Sequence, residues 1–267
     1  MSFPEAEPQP GEDTYLAGLI AGPMAPVPAR TLELINSGPV DGSDMLSRDE
    51  VDRLRDPAPL DVETGWCRMP DGTVRVAVEV GLPGITTEMV EWFLVWHIRR
   101  SQRYRAWHPR SHFSCELVRD SDDSGKPQWS GEYHPVEDVG SGKLTAWPVF
   151  RSPSEFGFSD DCVGDERVAT VFSAEVGDWR LIGHTGMCHV FLNEADGLRL
   201  RSRFWIGEKV HPRLPGLLGS AGESLLSRKF VRDQAVPDGI GPGLATHSAE
   251  EYANLVAILP GLYEKFA

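Results

Sequence analysis

Met187-Cys188-His189-Val190-Phe191-Leu192-Asn193, the turn Glu194-Ala195-Asp196-Gly197, and Leu198-Arg199-Leu200-Arg201-Ser202-Arg203-Phe204-Trp205-Ile206 decide the fold. Two apolar-rich runs flank a short Ala-Asp-Gly turn, the signature of a β-hairpin. Side chains alternate along a strand. Met187, His189 and Phe191 therefore share one face, and Leu200, Ser202 and Phe204 share one face of the next run. The hairpin can thus present His189 beside Ser202 and Phe204 on a single surface.

Further strands are expected around it, at 74–80, 143–150, 168–174 and 179–182, separated by Gly-containing turns. Thr86 or Thr87 caps a helix that carries Met89, Val90, Phe93, Leu94 and His97 and stops by Pro109. A last helix begins near residues 246–248, with Tyr252, Leu255, Ile258, Leu259 and Leu262 as its apolar stripe. Pro260 and Gly261 kink or end it. The plan is α+β: an antiparallel sheet closed by a long C-terminal helix, whose concave side encloses a ligand cavity.

Residues 1 to about 30 hold six of the 21 prolines and read as an extended arm. A short charged helix within 44–55 completes a small N-terminal subdomain, with a boundary at residue 66 and the main domain over 67–267. The loop-rich passage from Pro215 to Gly222 interrupts the C-terminal part.

Composition narrows the class. At 267 residues, 40% hydrophobic and 25% charged, the chain is an ordinary globular sequence. A net charge of −14 argues against nucleic acid as a partner, since phosphate contacts need clustered Lys and Arg. No apolar run approaches the ~20 residues of a membrane span, and the acidic, Pro-rich start is unlike a signal peptide. Cytoplasmic residence is expected. Cys67, Cys115, Cys162 and Cys188 form no CxxC pair and read as buried hydrophobes.

Candidate chemistry gathers in three places. Tyr104 to His112 places a phenol and two imidazoles, His108 and His112, within nine residues. Tyr133 to Gly140 adds Glu137 and, just before it, Glu132. His247 and Glu251 stand at i and i+4, the spacing that puts both on one helix face and suits joint metal coordination. The bland alternative for that last pair is a capping box, Ser248-Ala-Glu-Glu251, at the helix start. There is no His-Glu-x-x-His, no Gly-x-Ser-x-Gly elbow and no phosphate loop.

In order along the chain stand Arg103-Tyr-x-x-Trp-His-Pro-x-x-His112, Val136-Glu-Asp-Val-Gly140, Ser154-Glu-Phe-Gly-Phe158, Cys188-His189-Val190, Arg201-Ser-Arg-Phe-Trp-Ile-Gly207 and His247-x-x-x-Glu251. Together they resemble the 2,4-diacetylphloroglucinol hydrolase family, which includes phloretin hydrolase, over roughly residues 85–260. The resemblance implies a helix-grip, START-like domain and a zinc-dependent hydrolase that cuts a carbon–carbon bond between a polyhydroxylated ring and an acyl group. Implied zinc ligands are His112, Glu137, His247 and Glu251, with Glu132 the rival of Glu137. Tyr104 and His189 match the family's substrate-contacting tyrosine and histidine. Two family positions, an asparagine and a second tyrosine, fall on Cys115 and Phe204, so the ring substituents read here differ.

The implied reaction runs through a β-diketone-like ring tautomer, with zinc-activated water attacking the acyl carbonyl. The alternative is a non-catalytic helix-grip carrier for an aromatic polyketide. Expected partners are a small aromatic substrate and at most a second copy in a homodimer, with neither nucleic acid nor membrane.

Overall fold

The computed structural model describes residues 4–119, 132–177, 182–212 and 236–267, and the hairpin is its spine. Strands β8 (Ile182–Glu194) and β9 (Gly197–Pro212) turn through Ala195 and Asp196. Gly197 sits at φ 149°, and a Cβ there would meet the Leu82 carbonyl oxygen at 2.3 Å, so the turn needs glycine. In this register His189 opposes Ser202 and Met187 opposes Phe204. The other edge of β9 pairs with β2 (Val74–Pro83), which runs three residues past the expected strand end. With β1 (Gly65–Arg68), β6 (Trp147–Arg151) and β7 (Val168–Gly177) they make one antiparallel sheet in the order β1-β2-β9-β8-β7-β6. A second sheet joins β3 (His112–Arg119), β4 (Glu132–Asp138) and β5 (Lys143–Thr145). The strand expected at 179–182 lies largely outside the described residues, as does the passage at 215–222.

Both faces of the main sheet are covered, with apolar side chains toward the last helix and, on the other face, apolar residues together with the buried Arg201 and Arg203. On the inner face Phe172, Phe191 and Leu200 pack against Tyr252, Leu255, Leu259 and Leu262 of the last helix, α6 (Ile240–Phe266). The sheet thus grips a long helix, as expected of a helix-grip fold. On the outer face Val190, Leu192 and Trp205 pack against Val51 and Leu54, against Phe156 of the short helix α5 (Pro153–Phe156), and against Phe158. There the Trp205 indole also donates to the Leu46 carbonyl at 2.9 Å.

Three expectations are corrected. The proline-rich N-terminus is helical in part, with α1 at Glu12–Ala21 and α2 at Ala29–Asn36. Glu12 is fully buried and takes Arg103 at 2.7 Å and Arg100 at 2.8 Å, so charge anchors α1 where no apolar stripe announced it. Burial alone would raise its carboxyl, but the bonds from Arg103, the Gln9 N–H and Arg100 hold it down to about 2.

The second correction is the length of the helix starting at Thr87, which was expected to bring Tyr104 to its C-terminal end. Helix α3 (Thr87–Trp96), capped by Thr86, gives way at Arg100, which is extended at φ −151°. A separate short helix α4 (Ser101–Trp107) then carries Tyr104.

Third, α6 starts at Ile240 rather than near 246. Pro242 sits in its first turn, where a missing N–H costs nothing. Ser248 and Glu251 therefore lie two turns inside the helix, and the capping-box reading falls. Pro260 does not end the helix, which continues to Phe266. The 3-10 turn at Arg48–Arg55 occupies the expected charged helix, and all four cysteines are buried and free.

The helix is pinned where its first turn crosses the end of β4. A Cβ on Gly243 would meet Gly140 Cα at 2.8 Å and the Val139 carbonyl oxygen at 2.9 Å, all of it backbone. We expect Gly243→Ala to lower the unfolding free energy by about 1–3 kcal/mol in chemical denaturation, the usual cost of overpacking. Gly18→Ala is the control, because a Cβ there meets nothing within 4 Å inside a helix. It is expected to be neutral or mildly stabilising, and equal losses in both variants would refute the pinning role.

Candidate metal centre and ring pocket

Four side chains from three elements converge. His112 opens β3 after a tight reversal in which its N–H donates to the His108 carbonyl at 2.9 Å. Its Nδ1 donates to the Tyr104 carbonyl at 3.0 Å, which fixes the tautomer and leaves Nε2 as a bare acceptor. Glu137 is the register partner of His112 across β3 and β4, so the two belong to one cross-strand pair. His247 and Glu251 come from one face of α6.

The His112 and His247 Nε2 atoms lie 3.3 Å apart. Glu137 Oε2 stands 3.6 Å from His112 Nε2 and 3.8 Å from His247 Nε2. Glu251 Oε2 is 3.7 Å from each imidazole nitrogen. His112, Glu137 and His247 offer donor atoms all within 4.8 Å of one another, a set able to hold a metal ion.

The donor chemistry tests whether zinc fits. A tetrahedral ion with bonds of about 2.0–2.1 Å holds its donors roughly 3.4 Å apart. The donor atoms of His112, Glu137 and His247 have nearly that spacing, and Glu251 stands equally close to both imidazoles. The bare Nε2 of His112 faces a second imidazole nitrogen and two carboxylates, an arrangement that a cation explains directly. Two neutral imidazoles and two carboxylates also balance a divalent charge.

Electrostatics point the same way. Burial pushes the His112 imidazole well below its usual range, with His247 and His108 adding repulsion. Burial likewise brings His247 down to about 3, with His108 next in effect. Glu251 is pushed well up by burial and then by Glu137, and Glu137 is raised by burial despite the Tyr104 bond. Without a cation every member is driven toward its neutral form.

The flanking groups are specific. The Tyr104 hydroxyl donates to Glu137 Oε2 at 2.5 Å, and its ring stacks on His112 at 3.9 Å with planes 1° apart. Burial, then Glu137, raises the Tyr104 phenol well above its ordinary value, so it stays protonated. His189 is buried on the inner sheet face, with Nδ1 2.8 Å from the Ser202 hydroxyl. Burial lowers its imidazole to about 3. Phe204 meets the His189 ring edge-on at 5.6 Å and otherwise packs with Val76, Ala245 and Ala249. Cys115 is buried on β3 opposite Pro135, its thiol pushed well up by burial and then by Glu137.

The rivals point elsewhere. His108 Nδ1 accepts from the Ser111 N–H and its Nε2 donates to Glu250 at 3.1 Å, so it offers no donor atom to the cluster. It stacks on the His247 ring at 4.8 Å instead. Glu132 bonds His134 at 3.1 Å at the far end of β4.

Sequence reasoning missed the groups that hold this arrangement. The Trp107 indole donates to the Glu251 carbonyl at 2.9 Å. Asn254 donates to the Trp107 carbonyl at 2.8 Å and accepts from the Ala25 N–H at 3.1 Å, tying the α1–α2 connection to the site. Asn254 stands seven residues after His247, on the same helix face, which was the available signal. Tyr133 and His97 line the Tyr104 side, with ring centroids 6.1 Å apart.

Comparison with known proteins gives one family. The family model described as the DAPG hydrolase PhiG domain matches residues 46–264. Phloretin hydrolase of Eubacterium ramulus is 27% identical over 248 residues, covering 90% of this chain and 86% of that protein. A 2,4-diacetylphloroglucinol hydrolase of Pseudomonas protegens is 27% identical over 250 residues, covering 90% and 81%. Among solved structures, a START superfamily protein from Mycobacterium smegmatis aligns over 61% of this chain and 96% of its own at 14% identity, with a TM-score of 0.33.

The raised Glu251 carboxyl gives a pH prediction. A carboxyl whose folded value lies above its unfolded value makes the fold lose stability as pH rises between the two. Glu251→Gln imitates the neutral acid. In chelator-treated protein we expect it to melt a few degrees above the parent at pH 8, where the parent carries the cost of the buried charge. The gap should close near pH 4, below the unfolded value. A metal-free variant no more stable than the parent at pH 8 would show that Glu251 is not held as a strained anion.

Proposed function

This chain belongs to the DAPG hydrolase PhiG domain family, and on that premise we propose that it hydrolyses the carbon–carbon bond between a polyhydroxylated aromatic ring and an acyl group. The substrate class is an acylphloroglucinol, the products a deacylated ring and a carboxylic acid. The observation that carries this reading is the cluster of His112, Glu137, His247 and Glu251 beside the Tyr104 phenol.

His112, Glu137, His247 and Glu251 would hold Zn²⁺. When bound, such an ion supplies Lewis-acid charge that polarises a carbonyl and makes water more nucleophilic. The rest is the work of the chain. Glu137 takes the Tyr104 proton in a hydrogen bond, which leaves the phenol oxygen free to accept from a ring hydroxyl. His189, neutral and fixed by Ser202, is placed to move a proton to or from a ring oxygen or carbon.

Protonation of the ring carbon that bears the acyl group gives a β-diketone-like tautomer. Water oxygen then bonds to the acyl carbon, the aryl–acyl bond breaks, and its electron pair returns to the ring as an enolate that regains aromaticity. Trp107 and Phe172 contribute apolar surface, which suits a flat ring and keeps bulk water out. No described helix is long and apolar enough to cross a membrane.

Metal analysis of the purified protein should find one zinc per chain, and incubation with acylphloroglucinols should release the acid and the deacylated ring. His112→Ala and His247→Ala are expected to lose zinc and activity together while staying folded. His189→Ala should keep zinc but lower kcat by about 10²–10⁴-fold. A zinc-free protein that binds acylphenols without turnover would make the chain a carrier, the reading its fold class also allows.

A further inference from the structure

Tyr252 follows Glu251 on α6, so the helix turns it about 100° away, toward β8. Its ring lies 5.3 Å from His189, 6.2 Å from Phe191 and 5.6 Å from Trp107. The residue is 1% exposed, and its hydroxyl is buried with no hydrogen-bond partner among the described residues. His189 is matched with Ser202, Trp107 with the Glu251 carbonyl and Tyr104 with Glu137, while the Ser248 hydroxyl one turn earlier on α6 shares the unpaired state. An unpaired buried hydroxyl costs stability, and phenylalanine would fill the same volume without that cost. The orphan stands between the side chain proposed to move the proton and the helix turn that carries two proposed ligands.

Phe204 meets the same imidazole edge-on at 5.6 Å and offers no polar atom. The Ser202 hydroxyl on β9 is already taken up by His189 Nδ1, so the unpaired hydroxyl among the rings around this imidazole comes from α6. We propose that the Tyr252 hydroxyl is a specificity-determining group that hydrogen-bonds an oxygen substituent of the substrate ring and holds the ring against His189. This rests on the acylphenol reading above. It assigns to α6 a second task beside metal binding, selection of an oxygenated ring over a bare one.

The test uses Tyr252→Phe and two ring ligands that need no turnover, phloroglucinol and acetophenone, titrated by calorimetry into the zinc-loaded full chain. Loss of one hydrogen bond should weaken phloroglucinol by about tenfold. Acetophenone, which has no ring hydroxyl, should change less than about twofold. Without ligand the variant should melt at or above the parent temperature, because the hydroxyl removed was unpaired.

Equal losses for both ligands, no loss for either, or a lower melting temperature of the unliganded variant would each overturn the assignment. So would a parent protein that binds neither ligand. If the variant discriminates as expected but the parent cleaves no acylphenol, the proposed reaction fails and the ring-reading role of Tyr252 stands.

Discussion

The structure depends on bringing two pairs of buried polar side chains to within about 4 Å of each other. One pair, His112 and Glu137, is set by the register of β3 and β4, and the other, His247 and Glu251, by a single turn of α6. Each pair is internally rigid, so the distance between them rests on how closely a helix approaches a strand end. Gly140 and Gly243 allow backbone to touch backbone at that crossing. Any side chain there would separate the two halves of the cluster, which is why the contact lies one turn before His247 and three residues after Glu137. Trp107 and Asn254 then lock the helix rotation, since the indole holds a carbonyl of the very turn that bears Glu251.

The outer face of the sheet solves a different problem with the same side-chain types. Arg201 and Arg203 project from β9 and are almost fully buried, yet both meet Glu63, which they draw below its ordinary value against the effect of burial. Arg48 meets Glu175 in the same way. Here Glu63 meets two arginines and Glu175 one, so ion pairs clasp the N-terminal segment to the sheet. At the cluster on the inner side neither carboxylate meets a Lys or Arg among the described residues. Paired charge on one face and unpaired charge on the other separates the part that holds the fold from the candidate metal centre.

Much of this was legible because strand periodicity is strict. The hairpin of 187–206, with His189 opposite Ser202, follows from alternation and one turn. So does α6, apart from its first turn, where Gly241, Pro242 and Gly243 read as loop although a proline is tolerated there. Strands β3 and β4 were not read as strands: His112 to Leu117 does alternate polar and apolar, but a register shift between His112 and Ser114 buries His112 and leaves Phe113 exposed, and β4 contains Pro135. Helix α1 was hidden for a related reason: Glu12 is held by charge, and charge pairing across 91 residues leaves no local pattern. Spacing could not choose between His108 and His112. The reversal through Pro109 decides it, sending one imidazole toward Glu250 and the other toward Glu137.

Near the cluster two kinds of polar group are left unmatched, and the difference bears on how the site is built. The ligand-like set is unmatched in charge: two carboxylates and two imidazoles that burial drives to neutrality, so anything restoring their charge must be a cation. Two aromatic neighbours of Tyr104 and His189 are unmatched in hydrogen bonding but carry no charge. The His97 Nε2 is a buried acceptor without a partner among the described residues, because its Nδ1 donates to the Phe93 carbonyl. The Tyr252 hydroxyl is a buried donor in the same state. Neutral unsatisfied groups cost less than charged ones, so a fold can carry several of them permanently. On the proposed reading an oxygenated ring would satisfy such groups, and the neighbouring side chains Trp107, Tyr133 and Phe172 suit a flat partner. Charge mismatch would then select the ion and hydrogen-bond mismatch the ring, and α6 carries residues of both kinds on adjacent positions, Glu251 and Tyr252.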